Sequence, residues 1–436
     1  MLASNFVNTI KAENIGREIY RLAEELYPIC RSITGNGVRE TLEIISKHIP
    51  LEVKEVATGT QVFDWMIPRE WNIHDAYIKN GKGERIVDFC KNNLHVLNYS
   101  IPINKKLTLE ELKNHIYTLP DHPDWIPYRT SYYHDKWGFC LTHNQLINLK
   151  EDTYEVCIDS TLKDGYLTYG ECCLKGETED EILLSAHICH PSLANDNLSG
   201  IGLLTFLAKI LQGNRHKYTY RFLFAPGTIG AITWLARNES TINRIRHGLV
   251  IACVGDNGGP TYKRSRMGSA DIDRATEYVL GKLYQQAVIE DFSPYGYDER
   301  QYCSPGFNLP VGLLQRSKYG NFPQYHTSAD DLTFITPENL GESLSMILQI
   351  LFILERNETY INLNPKCEPQ LGKRGLYKAI GANQGGNDWQ MAMLWVLNLS
   401  DGTNTLLDIA RHCGLDFSTV LEAAELLEEK QLLKKK

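Results

Sequence analysis

The chain has 436 residues, 43% of them hydrophobic and 22% charged, a balance that is ordinary for a globular protein of two or three domains. Its formal net charge of −8 argues against general binding to nucleic acid, which needs a basic surface. The N-terminus lacks the basic and apolar segments of a signal peptide, and no apolar run is long enough to span a membrane. The 11 cysteines include no CxxC pair, so we expect reduced thiols and a cytoplasmic location.

The predicted elements change character along the chain. Amphipathic helices are predicted within residues 14–30 and 37–49, because apolar residues recur there at spacings of three and four. From about 60 to 165 the segments are short, aromatic and β-branched, and Pro, Gly and Asn interrupt them, which is typical of a mostly β domain. From about 165 to 355 predicted strands alternate with predicted helices. This alternation indicates a three-layer α/β domain with a largely parallel sheet.

The C-terminal segment has the pattern of a helix-turn-helix. Three helical patterns are separated by the turn sequences SDGTN and CGLDFS. The last of these helices carries Glu422, Glu425, Glu428 and Glu429 with few basic residues, so DNA phosphates would repel it. The pattern therefore favours a protein–protein or intersubunit role over DNA binding.

Four residues that could bind a divalent metal ion follow predicted strands. His187 and Asp256 each end a strand, Asp196 precedes a helix, and His326 lies in the loop after the last strand. Ligands of parallel α/β domains bind at the carboxyl ends of the strands, so we expect these side chains to meet there. Each residue alone is more typical of a capping or structural role. Together, two imidazoles and two carboxylates suit zinc or a similar ion.

The segments SAHICHPS, ANDNLSG, VGD and YHTSADD resemble the clan of zinc aminopeptidases and carboxypeptidases with co-catalytic metals. With YPICRSITGNGVRETL and DERQYCSPG, they resemble more closely a bacterial aminopeptidase-like family with an inserted β domain and a C-terminal winged helix, often associated with polysaccharide biosynthesis. The resemblance implies a discontinuous aminopeptidase-like α/β domain at 1–60 and 165–360. It also implies an inserted mostly-β domain at 61–164 and a winged helix-turn-helix domain at 375–436.

The resemblance also implies roles for individual residues. His187, Asp196 and His326 match metal-ligand positions, with Asp196 at the bridging position. Asp256 matches a further ligand of the two-metal members. Asp330 matches a position from which a carboxylate can orient the imidazole of His326.

The chain departs from the clan after the second strand of the α/β domain, where two catalytic carboxylates usually stand. Gly227 occupies the position of the general base, and Thr228 occupies the position of a second-metal ligand. The absence of that ligand favours one zinc ion over two. Asp298 and Glu299 are the candidates to replace the missing base. The alternative for these two acids is a solvated loop rim with ion pairs to Arg300.

Three further residues have interpretations that the sequence leaves open. Cys189 stands where the clan usually has an aspartate, and either Cys189 or His190 could take over the orienting role of that residue. The alternative for His190 is a cap of the turn before Pro191, and we do not assign it as a ligand. Arg31 is a candidate for binding a substrate anion, because its planar fork matches a carboxylate, although it could equally hold its own loop together. Arg300 is the second candidate for substrate binding.

The leading hypothesis is a cytoplasmic zinc-dependent hydrolase, resembling aminopeptidases and impaired by Gly227, that cleaves an amide or peptide bond in a small substrate. The alternative is a metal-binding pseudo-enzyme, or a ligand-binding or scaffold protein linked to polysaccharide biosynthesis. A third hypothesis is a DNA-binding regulator with a degenerate enzyme domain. Under the leading hypothesis we expect a small peptide-like or amide substrate and neither membrane nor nucleic-acid partners. Homo-oligomer contacts would form through the insertion or the winged helix.

Overall fold

The computed structural model describes residues 12–376 and 385–436. The helices in these ranges are α1 (Ala12–Leu26), α2 (Asn36–Ser46), α3 (Leu109–Lys113), α4 (His143–Ile147), α5 (Gly200–Leu211), α6 (Ile229–Asn238), α7 (Asp271–Leu283), α8 (Glu299–Tyr302), α9 (Pro337–Arg356), α10 (Gly385–Leu399), α11 (Leu406–Cys413) and α12 (Phe417–Glu429). The strands are β1 (Glu52–Ala57), β2 (Gln61–Val62), β3 (Trp65–Met66), β4 (Glu70–Lys79), β5 (Arg85–Asp88), β6 (Ile103–Thr108), β7 (Ile116–Tyr117), β8 (Phe139–Cys140), β9 (Thr153–Lys163), β10 (Tyr166–Leu174), β11 (Glu181–His187), β12 (Thr219–Ala225), β13 (Ile245–Ile251), β14 (Thr261–Lys263), β15 (Val288–Glu290), β16 (Val311–Gln315), β17 (Thr359–Asn362), β18 (Asp401–Thr405) and β19 (Leu433–Lys435).

An eight-stranded sheet forms the centre of the molecule, in the order β1-β10-β12-β11-β13-β16-β14-β15. The four central strands β12, β11, β13 and β16 run parallel, and antiparallel pairs lie toward both edges. All seven residues of β11 are buried, as expected for a central strand with layers on both faces. The prediction of an α/β fold with a mainly parallel sheet is confirmed.

Helices cover both faces of the sheet. Successive side chains of β11 point to opposite faces of the sheet. Leu184 packs in the hydrophobic core on one face, together with α1, α2, α5, α7 and α9. Leu183 packs in the core on the other face, together with α6. On the first face α1 and α9 touch through two glycines. A Cβ on Gly16 would lie 1.9 Å from the carbonyl oxygen of Pro337, and one on Gly341 would lie 2.4 Å from that of Ala12. Only glycine permits this close approach of the two helix backbones.

The region predicted to be mostly β folds around an antiparallel sheet of four strands, in the order β5-β4-β9-β6. This region reaches across to the end of the α/β domain. The backbone N–H of Tyr128 donates to the carbonyl of His326 at 2.8 Å, and that of Ser328 donates to the carbonyl of Ile126 at 2.8 Å. The inserted segment therefore holds the loop that carries one of the predicted metal ligands. The predicted domain boundaries stay a prediction.

The C-terminal unit is a winged helix-turn-helix, as predicted, built from α10, α11 and α12 with the small sheet β18-β17-β19. Its helix α12 faces the α/β domain. Phe417 packs edge-on against Phe352 at 6.0 Å, and Glu425 forms an ion pair with Arg356. The hydroxyl of Tyr360 donates to Glu428 at 3.2 Å. The helix that would read DNA in a regulator is thus engaged within the chain.

Two general expectations can be compared with the structure. Within residues 12–376 and 385–436, no helix is both long and apolar enough to cross a membrane. All 11 cysteines of the chain are free thiols.

Candidate metal centre

The candidate centre lies at the carboxyl end of the central parallel strands. His187 is the last residue of β11, beside Ala225 at the end of β12. Asp196 follows in an irregular turn, Ala194–Ser199, that leads into α5, and its own backbone angles are not helical. The side chain of Asn195 ties this turn to the end of β13, because it accepts from the backbone N–H of Gly255 at 2.9 Å. Two neighbouring strand ends are thereby joined around Asp196.

Asp196 is the centre of a cluster of histidines. Its side chain is completely buried, and its two oxygens face different imidazoles. Oδ1 lies 2.9 Å from Nε2 of His187, and Oδ2 lies 3.1 Å from Nε2 of His326. The potential ligand atoms of His187, His190 and Asp196 all lie within 4.8 Å of one another. The structure thus brings the three predicted ligands together and adds His190, which the sequence analysis set aside.

The protonation states in this cluster suit metal binding. Burial by itself would raise the pKa of Asp196, but the imidazoles of His190, His187 and His326 outweigh it and hold that pKa well below the ordinary value. Burial lowers the pKa of His190 well below the ordinary value for histidine. A metal ion binds ionised carboxylates and neutral imidazoles, so both residues are in the form that coordination requires.

Asp330 and Asp256 have different positions from those predicted. Asp330 is fully buried and accepts hydrogen bonds from the backbone N–H groups of Asn195 at 2.6 Å and Asp196 at 3.0 Å. It therefore orients the turn that carries Asp196, not the ring of His326.

Asp256 accepts from Asn195 Nδ2 at 2.8 Å and from Ser317 Oγ at 2.6 Å. Both oxygens of Asp256 accept hydrogen bonds from neighbouring loops, and its role as a metal ligand stays a prediction.

Tyrosine rings enclose the cluster, and sequence reasoning did not identify them. The ring of Tyr297 stacks on His187 with centroids 5.0 Å apart. The ring of Tyr128 lies edge-on at 5.1 Å from both His190 and His326. Tyr128 belongs to the inserted segment, whose many aromatic residues were the only sequence signal that it could approach the site. These contacts limit the rotation of the imidazoles.

Asp298 lies next to the cluster as an isolated acid. It is 1% exposed, and neither carboxylate oxygen has a hydrogen-bond partner among the described residues. Burial raises its pKa to about 7, although the nearby His187 partly offsets this. A Cβ on Gly227 would lie 3.4 Å from Oδ1 of Asp298 and 3.1 Å from Cβ of His187. The carboxylate of Asp298 therefore borders the space into which a side chain at position 227 would extend.

Glu299 has a structural partner instead of a place in the cluster. It is fully buried and forms an ion pair with Lys263, which is itself 1% exposed. Lys263 also donates to the carbonyl of Tyr295 at 2.8 Å. The interpretation of Asp298 and Glu299 as a solvated loop rim paired with Arg300 is wrong, because both acids are buried and Nε of Arg300 has no partner among the described residues.

Arg31 occupies the interior of the domain. It is 1% exposed, and it donates from Nε to the carbonyl of His190 at 2.8 Å and from Nη1 to the carbonyl of Leu26 at 2.8 Å. Burial lowers its pKa to about 10. Of the two roles that the sequence left open, these contacts support the structural one, in which Arg31 holds the loop of His190 against the end of α1.

Comparison with known proteins places the chain in a family. A family model described as a domain of unknown function, DUF4910, matches residues 20–357. The chain belongs to the DUF4910 family. A second model, described as winged helix-turn-helix, matches residues 358–435. That match begins just before β17, which pairs with both β18 and β19, so the C-terminal sheet starts earlier than residue 375.

Two relatives come from Clostridium acetobutylicum. One is 56% identical over 422 residues, covers 96% of both chains, and is described as a candidate polysaccharide biosynthesis protein with an aminopeptidase-like domain. The other is a crystal structure described as a candidate peptidase, 53% identical, with a TM-score of 0.94 and 99% coverage of both chains.

A more distant structure defines the fold. The zinc aminopeptidase BSAP from Bacillus subtilis is 12% identical and has a TM-score of 0.59, over 79% of this chain and 95% of that one. At this identity the likeness shows an aminopeptidase-like fold and nothing more. The predicted resemblance to zinc aminopeptidases is thereby confirmed at the level of the fold.

Proposed function

We propose that this chain is a zinc-dependent hydrolase that cleaves an amide bond in a small substrate. The observation that carries the proposal is the cluster of buried His187 and Asp196 with the partly exposed His326 at the carboxyl ends of the central strands. Next to it lies Asp298, whose carboxylate has no hydrogen-bond partner among the described residues. Imidazole and carboxylate donors suit zinc, and the ligand atoms of His187, His190 and Asp196 lie within 4.8 Å of one another. We keep one ion as the proposal, because Thr228 stands where a ligand of a second ion would be.

The residues of this chain would divide the work between binding and proton transfer. His187, His190, Asp196 and His326 would hold the ion, which supplies a Lewis acid that polarises the substrate carbonyl and makes water easier to deprotonate. Asp330 would keep the Asp196 turn in place through its two backbone hydrogen bonds. The rings of Tyr297 and Tyr128 would hold the imidazoles in place, while the partly exposed His326 leaves a side of the cluster open to solvent.

Asp298 is the proposed proton acceptor. A group whose pKa is close to the working pH can both accept a proton from the attacking water and return it to the leaving amine, and burial brings the pKa of Asp298 to about 7. A positioned base contributes about two to four orders of magnitude in rate. Gly227 fits this role of Asp298, because a residue without a side chain leaves the space beside the carboxylate free.

The proposal is tested by measuring zinc content and hydrolysis on the same preparations. The full chain, His187→Ala and Asp298→Asn would be assayed against a panel of aminoacyl p-nitroanilides and N-acyl amino acids. We expect His187→Ala to lose both zinc and activity, and Asp298→Asn to keep zinc and lose about 100-fold or more in kcat. Full activity in Asp298→Asn would refute its role as the base.

The second candidate function is a metal-binding protein without hydrolytic activity. Gly227 is the observation that favours it, since the usual base position carries no acid. It predicts zinc binding that depends on His187 together with no turnover of any substrate on the panel. The description of the 56% identical relative suggests polysaccharide biosynthesis as the setting for either function.

A further inference from the structure

A cavity separate from the candidate metal centre lies between the N-terminal helices and the four-stranded sheet. Its volume is about 640 Å³. The chain from Tyr27 to Gly37 forms one wall, and β4 around Asn72 with the segment 89–93 forms the other. Pockets for small organic ligands have volumes of about 300–1,000 Å³ and often lie at domain junctions. This cavity meets both conditions.

Asparagine side chains dominate the polar lining, which includes Asn36, Asn72, Asn92 and Asn93. Asn93 is 9% exposed, and its Oδ1 has no hydrogen-bond partner among the described residues. The amide oxygen of Asn92 accepts from the backbone N–H of Leu94 at 2.9 Å, which turns its NH₂ group to other partners. An amide both donates and accepts, as a hydroxyl group does. Both amide groups of Asn72 are already used, because Oδ1 accepts from the backbone N–H of Asn36 at 2.7 Å and Nδ2 donates to Glu70 at 3.1 Å. The NH₂ group of Asn92 and the Oδ1 of Asn93 are the amide groups that a ligand with hydroxyl groups would meet.

The charged and apolar residues of the lining further restrict the chemical class of ligand that the cavity could bind. Glu40 and Lys91 are both exposed and balance each other in formal charge. No arginine in the described part of the chain lines the cavity, so the bidentate recognition typical of phosphate or carboxylate ligands is missing. Phe89 offers a partly exposed ring, against which the C–H face of a sugar can pack.

We propose that this cavity binds a neutral polyhydroxylated ligand of the size of a mono- or disaccharide. Ser192 connects it to the candidate metal centre. This residue lines the cavity, donates from Oγ to the carbonyl of Tyr27 at 2.7 Å, and lies in the loop between His187 and Asp196. A sugar bound here would therefore contact the back of the metal-binding loop. The inference goes beyond the proposed hydrolysis and does not depend on it.

The test measures direct binding to the full chain. Saturation-transfer NMR would use D-glucose, D-galactose, N-acetyl-D-glucosamine and maltose as probes, with trialanine as a peptide probe, at about 10 mM, which saturates a site of about 1 mM affinity. We expect transfer to at least one sugar. We expect Asn93→Ala to weaken that binding about tenfold, because it removes the unpartnered Oδ1. Phe89→Ala, on the same wall, should weaken it by a similar factor because it removes the ring. Asn104→Ala is the matched control, because Asn104 is an exposed asparagine of β6 at the far edge of the same sheet, and it should bind as the wild type does.

The outcomes separate this inference from the proposed function. Sugar binding that persists in His187→Ala, which lacks the metal ligand, would support the cavity whether or not the chain hydrolyses amides. The proposal is overturned if none of the four sugars shows transfer, or if only trialanine does. It is also overturned if both cavity variants, folded by circular dichroism, keep wild-type affinity.

Discussion

Replacing Asp298 by asparagine should stabilise the metal-free protein, and the gain should depend on pH. In the folded chain burial raises the pKa of Asp298 from the ordinary 3.8 to about 7. Below pH 4 the side chain is protonated in both the folded and unfolded states, so it makes no pH-dependent contribution. Between these pKa values the unfolded chain releases the proton and the folded chain keeps it, so the folding free energy becomes less favourable as the pH rises. Above pH 7 the penalty is complete.

The size of the penalty follows from the pKa difference. One pKa unit corresponds to about 1.4 kcal/mol, so the rise to about 7 corresponds to about 4 kcal/mol of lost stability at alkaline pH. Asparagine has nearly the same shape and no charge to desolvate, so Asp298→Asn removes this penalty. The difference in unfolding free energy between the variant and the wild type should therefore grow between about pH 4 and 7 and then stay constant.

The assay is chemical unfolding of metal-free protein, followed by tryptophan fluorescence across this pH range. Asp121→Asn is the control, because Asp121 is exposed in the inserted segment, and its curve should run parallel to that of the wild type. A constant difference between Asp298→Asn and the wild type at every pH would show that Asp298 is not a buried acid with a raised pKa. The same variant should lose hydrolysis, so stability and activity would move in opposite directions.

The remaining predictions concern the neighbouring positions and the C-terminal unit. Gly227→Glu should lower the midpoint of thermal unfolding, because the new side chain crowds His187 and places a second carboxylate beside Asp298. The double variant Gly227→Glu/Asp298→Asn should recover part of this loss. Equal midpoints for the single and the double variant would contradict the proximity of the two positions. His187→Ala should reduce the zinc content measured by mass spectrometry to background. The control His134→Ala, at an exposed position, should keep the wild-type zinc content. Equal zinc contents in the two variants would contradict the assignment of His187 as a ligand. The full chain should not bind duplex DNA at low salt in a mobility-shift assay, and salt-sensitive binding would restore the regulator hypothesis.

Local patterns were sufficient for the elements and for part of the site. The short apolar run that ends at His187 predicted a buried strand, and the periodicity after Asp196 predicted a helix, as the structure has them. Both residues therefore had to lie at the same edge of the sheet. The acidic surface of α12, with Glu422 and Glu429 exposed, was also visible in the sequence.

Only the tertiary structure decided how the polar side chains are paired. Asp298 and Glu299 are adjacent in sequence, yet Asp298 has no hydrogen-bond partner in residues 12–376 and 385–436, whereas Glu299 pairs with Lys263 from a distant strand. His190 joins the cluster because its backbone is held by Arg31, which approaches from the end of α1. Hydrogen-bond partners and desolvation depend on residues far apart in the chain, and no local pattern encodes them. The sequence by itself determined the fold class, whereas the ligand roles of His187, Asp196 and His326 stay predictions that rest on the resemblance. Burial and long-range contacts decided that Asp298 has no hydrogen-bond partner among the described residues.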